Sequence, residues 1–189
     1  MVSTVNDGRF LKALDKARHI KLLLTDVDGV LTDGCVYYSA HGEEMKRFSL
    51  RDGMGVERLR TLVQVDVGII TGERSVSVLK RAEKLNVVEL HLGIKNKLAV
   101  LHEICRRRGL RPDEVAYIGD DTNDLEVLQA VGLSAAPADA FPYVLETVTY
   151  QCVQPGGRGA FREFAELIIA AQIPAEFTAF IQPIERYQE

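Results

Sequence analysis

The sequence has only 3 cysteines among its 189 residues, Cys35, Cys105 and Cys152. Their number is odd and no two have CxxC spacing, which excludes a disulfide framework or a four-cysteine metal ribbon. Free thiols in a reducing compartment are the expectation. Nor is there an excess of positive charge: Lys and Arg number 23 against 27 for Asp and Glu, a formal net charge of −4. With no general basic field to attract nucleic acid or an anionic membrane, an anionic ligand must be held by a local cluster or a metal. No run approaches the roughly 18 apolar residues of a membrane span. The N-terminal segment, with Asp7, Arg9, Lys12, Asp15 and Lys16, lacks the apolar stretch of a signal peptide. Repeats, low-complexity segments and interdomain linkers are absent as well. The expectation is a cytoplasmic protein with neither nucleic acid nor membrane as partner.

What is there is ordinary globular stock, 47% hydrophobic and 26% charged, enough for a core. At roughly 150 residues per domain, one domain over residues 1–189 is expected, with a loosely held tail from about Pro174. An amphipathic helix is read over Gly8–Arg18. Buried parallel strands are read at Ile20–Thr25, Val65–Ile70, Val87–Leu90, Val115–Ile118 and Leu133–Ala135. Helices are read at Gly53–Val63, Ser75–Leu85, Lys97–Arg108, Asp124–Val131 and Ala160–Ala171, with a last strand in Val148–Val153. Cys35–Tyr38 and Glu44–Phe48, on either side of Ser39-Ala40-His41-Gly42, read as a hairpin spanning about 35–48. Strands alternating with single helices predict an α/β fold, a doubly wound parallel sheet with a protruding β-hairpin.

Ligands of such sheets bind beyond the carboxyl ends of the strands. The first strand is followed by Asp26-Val27-Asp28-Gly29-Val30-Leu31-Thr32-Asp33, the second by Thr71-Gly72. Lys97 opens a later helix, and Gly119-Asp120-Asp121-Thr122-Asn123-Asp124 follows Val115–Ile118. Taken singly these are bland: a DxD is a turn or cap, Asp124 a helix N-terminal acid, Lys97 a solvated lysine. Taken together they place carboxylates, a hydroxyl and an ammonium on one rim. Hard oxygen donors suit Mg²⁺ shared with a phosphate. One Asp can attack phosphorus to form an aspartyl-phosphate, and a second, two residues away, can protonate the leaving oxygen and later activate water. Lysine and threonine can hold phosphoryl oxygens. Which Asp attacks is left open by the residues alone. The four histidines (His19, His41, His91 and His102) show no metal-ligand spacing.

The motifs Asp26-Val-Asp-Gly-Val-Leu-Thr-Asp-Gly, Thr71-Gly, Lys97 and Gly119-Asp-Asp-Thr-Asn-Asp resemble those of the haloacid dehalogenase superfamily of phosphatases. Phe48-Ser-Leu-Arg-Asp-Gly-Met-Gly and Gly156-Gly-Arg-Gly-Ala-Phe-Arg-Glu resemble its cap-less branch, which acts on phosphate esters of eight- and nine-carbon 2-keto-3-deoxy sugar acids. The resemblance runs from about Lys21 to Ile169. It implies Asp26 as nucleophile, Asp28 as acid/base, and Thr71 and Lys97 as phosphoryl ligands. It further implies Mg²⁺ held by the Asp26 carboxylate, the Asp28 carbonyl and Asp120, with Asp121 and Asp124 in support. Arg51 and Arg158 become candidates for binding substrate anions.

Neither Asp33–Val65 nor Gly72–Lys97 has room for a cap domain beyond the elements already read there. The hairpin's Val36, Tyr37, Tyr38, Met45 and Phe48 are an apolar load that self-association would cover; the resemblance implies a homotetramer whose neighbours supply the lid. For the substrate, Gly72 and Glu73 lie at the rim. With Glu73 treated as part of the following helix, Arg81 and Lys84 share its polar side. Glu, Arg and Lys at these positions resemble the 2-keto-3-deoxynononate 9-phosphate phosphatases, so the nine-carbon ester is expected, with 3-deoxy-D-manno-octulosonate 8-phosphate as the alternative. Two other readings are weaker. A signalling receiver domain carries its acidic pair and acceptor Asp on different strands. A non-catalytic oligomerisation module would have no need of the complete set.

Overall fold

A computed structural model describes residues 5–173; the tail expected from Pro174 lies outside them. In chain order the elements are α1 (Val5–Ala17), β1 (Leu22–Thr25), β2 (Val36–Ser39), β3 (Gly42–Lys46), α2 (Leu50–Val63), β4 (Asp66–Thr71), α3 (Val76–Leu85), β5 (Glu89–Leu92), α4 (Lys97–Arg108), β6 (Val115–Ile118), α5 (Leu125–Ala130), β7 (Leu133–Ala136), α6 (Pro142–Thr147), β8 (Tyr150–Gln151) and α7 (Ala160–Gln172). Six strands form one parallel sheet in the order β5-β4-β1-β6-β7-β8, and β2 and β3 form a separate antiparallel hairpin. Among the described residues no helix is long and apolar enough to cross a membrane.

Strand period explains the two layers. Leu22, Leu23 and Leu24 are all fully buried, yet successive side chains point to opposite faces. Leu23 packs with Ala116, Ile118 and Ile69 under α1, α2 and α7, whereas Leu22 and Leu24 join Tyr117 and Ile70 under α4, α5 and α6. A strand covered on both faces needs no polar alternation, which is why Ile20–Thr25 reads as a bare apolar run.

Several bounds differ from expectation, for local reasons. Helix α2 starts at Leu50, not Gly53, because Ser49 caps it by accepting from the Asp52 amide at 3.3 Å. Its Gly53 and Gly55 are packing positions: a Cβ on Gly55 would lie 3.3 Å from the Ala165 Cβ of α7. Asp124 ends a 3₁₀ turn over Thr122–Asp124 and does not open α5. Helix α6, with Pro142 in its first turn, was not expected, and β8 has only 2 of the residues read as strand in Val148–Val153.

Candidate active site

Burial builds the site from the end of β1. Asp26 is 5% exposed and directly follows Thr25. Its Oδ1 accepts from the Val27 amide at 2.7 Å, and its Oδ2 lies 2.8 Å from Lys97 Nζ. Lys97 is the first residue of α4, after the Asn96 cap, and is 2% exposed. Its ammonium also donates to Asp124 Oδ1 at 2.7 Å and to the Tyr117 hydroxyl at 3.3 Å. Asp124, fully buried, takes a further hydrogen bond from Tyr117 on Oδ1 at 2.6 Å, while its Oδ2 accepts from the Asp120 amide at 3.1 Å. Buried charge is tolerable only when paired and hydrogen-bonded in this way.

The pairing is incomplete in a telling direction. One carboxylate oxygen from each of Asp26, Asp120 and Asp124 lies within 4.8 Å of the others, and one ammonium stands among them. Burial first, and then the Asp124 charge, pushes the Asp26 carboxyl up to about 7 against the pull of Lys97. Burial, Asp26 and Asp124 push Asp120 up to about 8. Lys97 is held above its ordinary value, because the attraction of Asp26 and Asp124 outweighs the burial that lowers it. An excess of buried negative charge lined with hard oxygens is a fit for a divalent cation. Asp124 takes two contacts on each oxygen, from Lys97 and Tyr117 on Oδ1 and from the Asp120 and Asp121 amides on Oδ2, whereas each Asp26 oxygen has one, so Asp26 and Asp120 are the carboxylates with lone pairs to spare. Gly29 (φ +82°) keeps this space open: a Cβ there would lie 2.0 Å from Asp120 Oδ2.

Asp28 is half-buried beside the cluster, and its Oδ1 accepts from Lys46 Nζ at 2.6 Å and from the Thr32 hydroxyl at 3.4 Å. Thr71, 1% exposed, ends β4 next to β1, and its Oγ1 accepts from the Glu73 amide at 3.4 Å. Asp121 caps the 3₁₀ turn, accepting from the Thr122 amide at 2.6 Å and from the Tyr143 hydroxyl at 2.8 Å. Gly72 and Glu73 are exposed in the β4–α3 loop on the rim, and Arg51 is exposed in the first turn of α2. Arg158 is exposed on a loop that packs on the one after β1, where the Gly157 amide donates to the Val30 carbonyl at 2.8 Å. A cleft of about 590 Å³ between the hairpin and α3, lined in part by Glu43, Arg74 and Lys80, lies to one side; no carboxylate of the cluster lines it.

Within this chain Arg81 and Lys84 stand apart from the carboxylate cluster, and helical spacing does not link them to Glu73. Glu73 lies outside the helix, because Ser75, with extended backbone, caps α3 at Val76. Arg81 instead ties α3 to α2: its guanidinium donates to the Ser49 carbonyl at 2.9 Å and sits 5.8 Å from the Phe48 ring centroid. Lys84 is exposed in the last turn of α3. A crossover helix runs back along the sheet, so that turn is at the end away from the rim. Two residues with no motif to announce them do belong to the site: Tyr117, fully buried beneath Lys97, and Lys46 on the hairpin. A signal for Lys46 existed, since it and Phe48 are two apart in extended chain and so share a face.

A family model described as haloacid dehalogenase-like hydrolase matches residues 73–156. The 3-deoxy-D-manno-octulosonate 8-phosphate phosphatase KdsC of Yersinia pestis is 45% identical over 159 residues, 84% of this chain and 84% of its own. A crystal structure of that phosphatase from Yersinia pestis superposes with a TM-score of 0.83 at 44% identity, over 85% of this chain and 86% of the other. The Moraxella catarrhalis phosphatase of the same name, solved with magnesium ion, phosphate ion and KDO, gives 0.84 at 36% identity over 90% and 96%.

Proposed function

Because the chain belongs to the haloacid dehalogenase-like hydrolases, we propose that it is a Mg²⁺-dependent phosphatase that hydrolyses 3-deoxy-D-manno-octulosonate 8-phosphate through an aspartyl-phosphate on Asp26. The observation that carries this reading is the buried cluster of Asp26, Asp120, Asp124 and Lys97 at the carboxyl end of the sheet. Asp26 and Asp120, with the Asp28 carbonyl, would hold the metal. Bound there, Mg²⁺ supplies positive charge that keeps the carboxylates ionised and draws electron density from the phosphoryl oxygens. Asp26 is kept in one orientation by the Val27 amide and Lys97. Its carboxylate oxygen forms the bond to phosphorus as the bond to the sugar oxygen breaks, and the Asp28 carboxyl gives that oxygen its proton. Asp28, now a carboxylate, takes a proton from water as the water attacks the aspartyl-phosphate, which frees phosphate and restores Asp26. Lys97 and the Thr71 hydroxyl hold phosphoryl oxygens as charge redistributes.

The nine-carbon ester expected from Glu73, Arg81 and Lys84 gives way here to the eight-carbon one. The substrate named for the 45% identical relative favours the change, and so does the removal of Arg81 and Lys84 from the rim. Arg51 and Arg158, both exposed, remain the candidates for the substrate carboxylate. The test is kcat/KM for both esters. A preference for the eight-carbon ester of at least about tenfold, 1.4 kcal/mol, is expected; a preference for the nine-carbon ester would overturn the assignment.

The same reading includes a homotetramer. Tyr37 (57% exposed), Tyr38 (70%) and Met45 (57%) put apolar surface on the hairpin, which a second copy of the chain would cover. Sedimentation at micromolar concentration should give a multiple of 21.0 kDa; a monomer alone would contradict it.

A further inference from the structure

Lys46 is a charged residue in a place where charge is costly. Its side chain is 1% exposed, although it belongs to a two-stranded hairpin standing outside the main sheet. It ends β3 in register with Val36, at the base of the hairpin. Its ammonium lies 2.6 Å from Asp28 Oδ1 and 3.8 Å from Glu43 Oε2. Glu43 in turn accepts from the hydroxyl of Ser75, the cap of α3. The next residue, Arg47, pairs with Asp33 at 2.5 Å. Consecutive side chains of the hairpin base therefore grip both ends of the loop that carries Asp28, and Glu43 anchors that base to α3.

We propose that Lys46 is a positioning residue, which holds the Asp28 carboxyl where it can serve the leaving oxygen. The assignment rests on the acid/base role given to Asp28 above. A buried ammonium that must keep its carboxylate partners allows Asp28 few orientations. Apart from Lys46, Asp28 has the Thr32 hydroxyl at a long 3.4 Å, too weak a contact to fix a rotamer alone. Without Lys46 the carboxyl would turn toward solvent, on the side where it is 26% exposed, and proton transfer would suffer while attack by Asp26 would not. The hairpin thereby has a chemical task in its own subunit, separate from any role in assembly.

Leaving-group dependence isolates that task. An alkyl sugar phosphate needs its leaving oxygen protonated, whereas p-nitrophenyl phosphate releases a stable phenolate. With Mg²⁺ present, kcat and KM are measured on both esters for wild type, Lys46→Met, Lys46→Arg, Glu43→Gln and Asp28→Asn. Lys46→Met should lose at least about tenfold in kcat/KM on 3-deoxy-D-manno-octulosonate 8-phosphate, and less than about threefold in kcat/KM on the aryl ester, within the roughly 10²–10⁴-fold worth of a general acid; kcat/KM ends at departure of the leaving group and so leaves out the water attack that also needs Asp28. Lys46→Arg should recover most of the loss, Asp28→Asn should show the same split enlarged, and Glu43→Gln the same split reduced. Equal losses on the two esters, or no loss, would overturn the positioning role while leaving the phosphatase reading intact. If Lys46→Met does not fold, Glu43→Gln decides by the same criterion. A wild type inert toward both esters would remove the functional reading and the role of Lys46 with it.

Discussion

Replacing Lys97 by methionine removes the cation that both Asp26 and Asp124 contact, at 2.8 and 2.7 Å. The side chain is 1% exposed, so water cannot take over its role. Breaking a buried ion pair by deleting one partner costs about 3–5 kcal/mol. At about 2–4 °C per kcal/mol for a chain of this size, Tm should fall by about 6–20 °C. The loss should depend on pH, with a sign that follows from the cluster. The folded wild type, without metal, already raises Asp26 to about 7, through burial and Asp124; carboxyls of the unfolded chain titrate near 3.9. A carboxyl raised in the folded state carries no penalty below the unfolded value, and its charge costs stability progressively as pH rises toward the folded value. Deleting Lys97 raises the folded value further, so the deficit relative to wild type should open as pH passes 7 and be larger at pH 8.5 than at pH 5.5. Urea unfolding of metal-free wild type and Lys97→Met at the two pH values measures it, and excess Mg²⁺ should narrow the gap at pH 8.5. Equal deficits at both pH values, or no deficit, would refute the account of the cluster.

Mg²⁺ binding should displace protons, because Asp26 and Asp120 are raised to about 7 and about 8 before the metal arrives. Calorimetry at pH 7 in buffers of different ionisation heat should report release of about one proton, and affinity should fall as pH drops below 7; buffer-independent heats would contradict this. Asp52 caps α7 from another helix, its Oδ1 accepting from the Arg162 amide at 2.9 Å where Gly159 offers no side-chain cap. Asp52→Ala should cost about 1–2 kcal/mol, read as a shift in urea midpoint. Asp52→Asn, which keeps an acceptor oxygen, should cost less.

The parts of the fold legible in the sequence are those where one local rule acts alone. Val115–Ile118 and Lys97–Arg108 match their expected bounds because Pro112, Gly109 and a helix start at Lys97 punctuate them. The parts that were not legible depend on contacts across the chain. Nothing local explains two glycines inside α2 until Gly53 is seen against Arg81 and Leu85 of α3 and Gly55 against Arg162 and Ala165 of α7. Asp124 reads as a helix N-terminal acid, yet it joins Lys97, Tyr117 and the Asp120 amide. Tyr117 passes for one more apolar strand residue, because nothing local reveals that its hydroxyl meets a carboxylate. Glu73 reads as the start of α3, yet the helix begins three residues later at Val76, so helical spacing does not relate Glu73 to Arg81 and Lys84.

The claim that Asp26 is the nucleophile of a phosphatase is tested most directly by phosphate release from 3-deoxy-D-manno-octulosonate 8-phosphate, with wild type and Asp26→Asn compared at saturating Mg²⁺. An amide is a poor nucleophile and cannot form the aspartyl-phosphate. The account predicts steady release by wild type and a loss of at least about 10³-fold in kcat for the variant, about 4 kcal/mol in the barrier. Release by Asp26→Asn at the wild-type rate, or none by wild type, would contradict it.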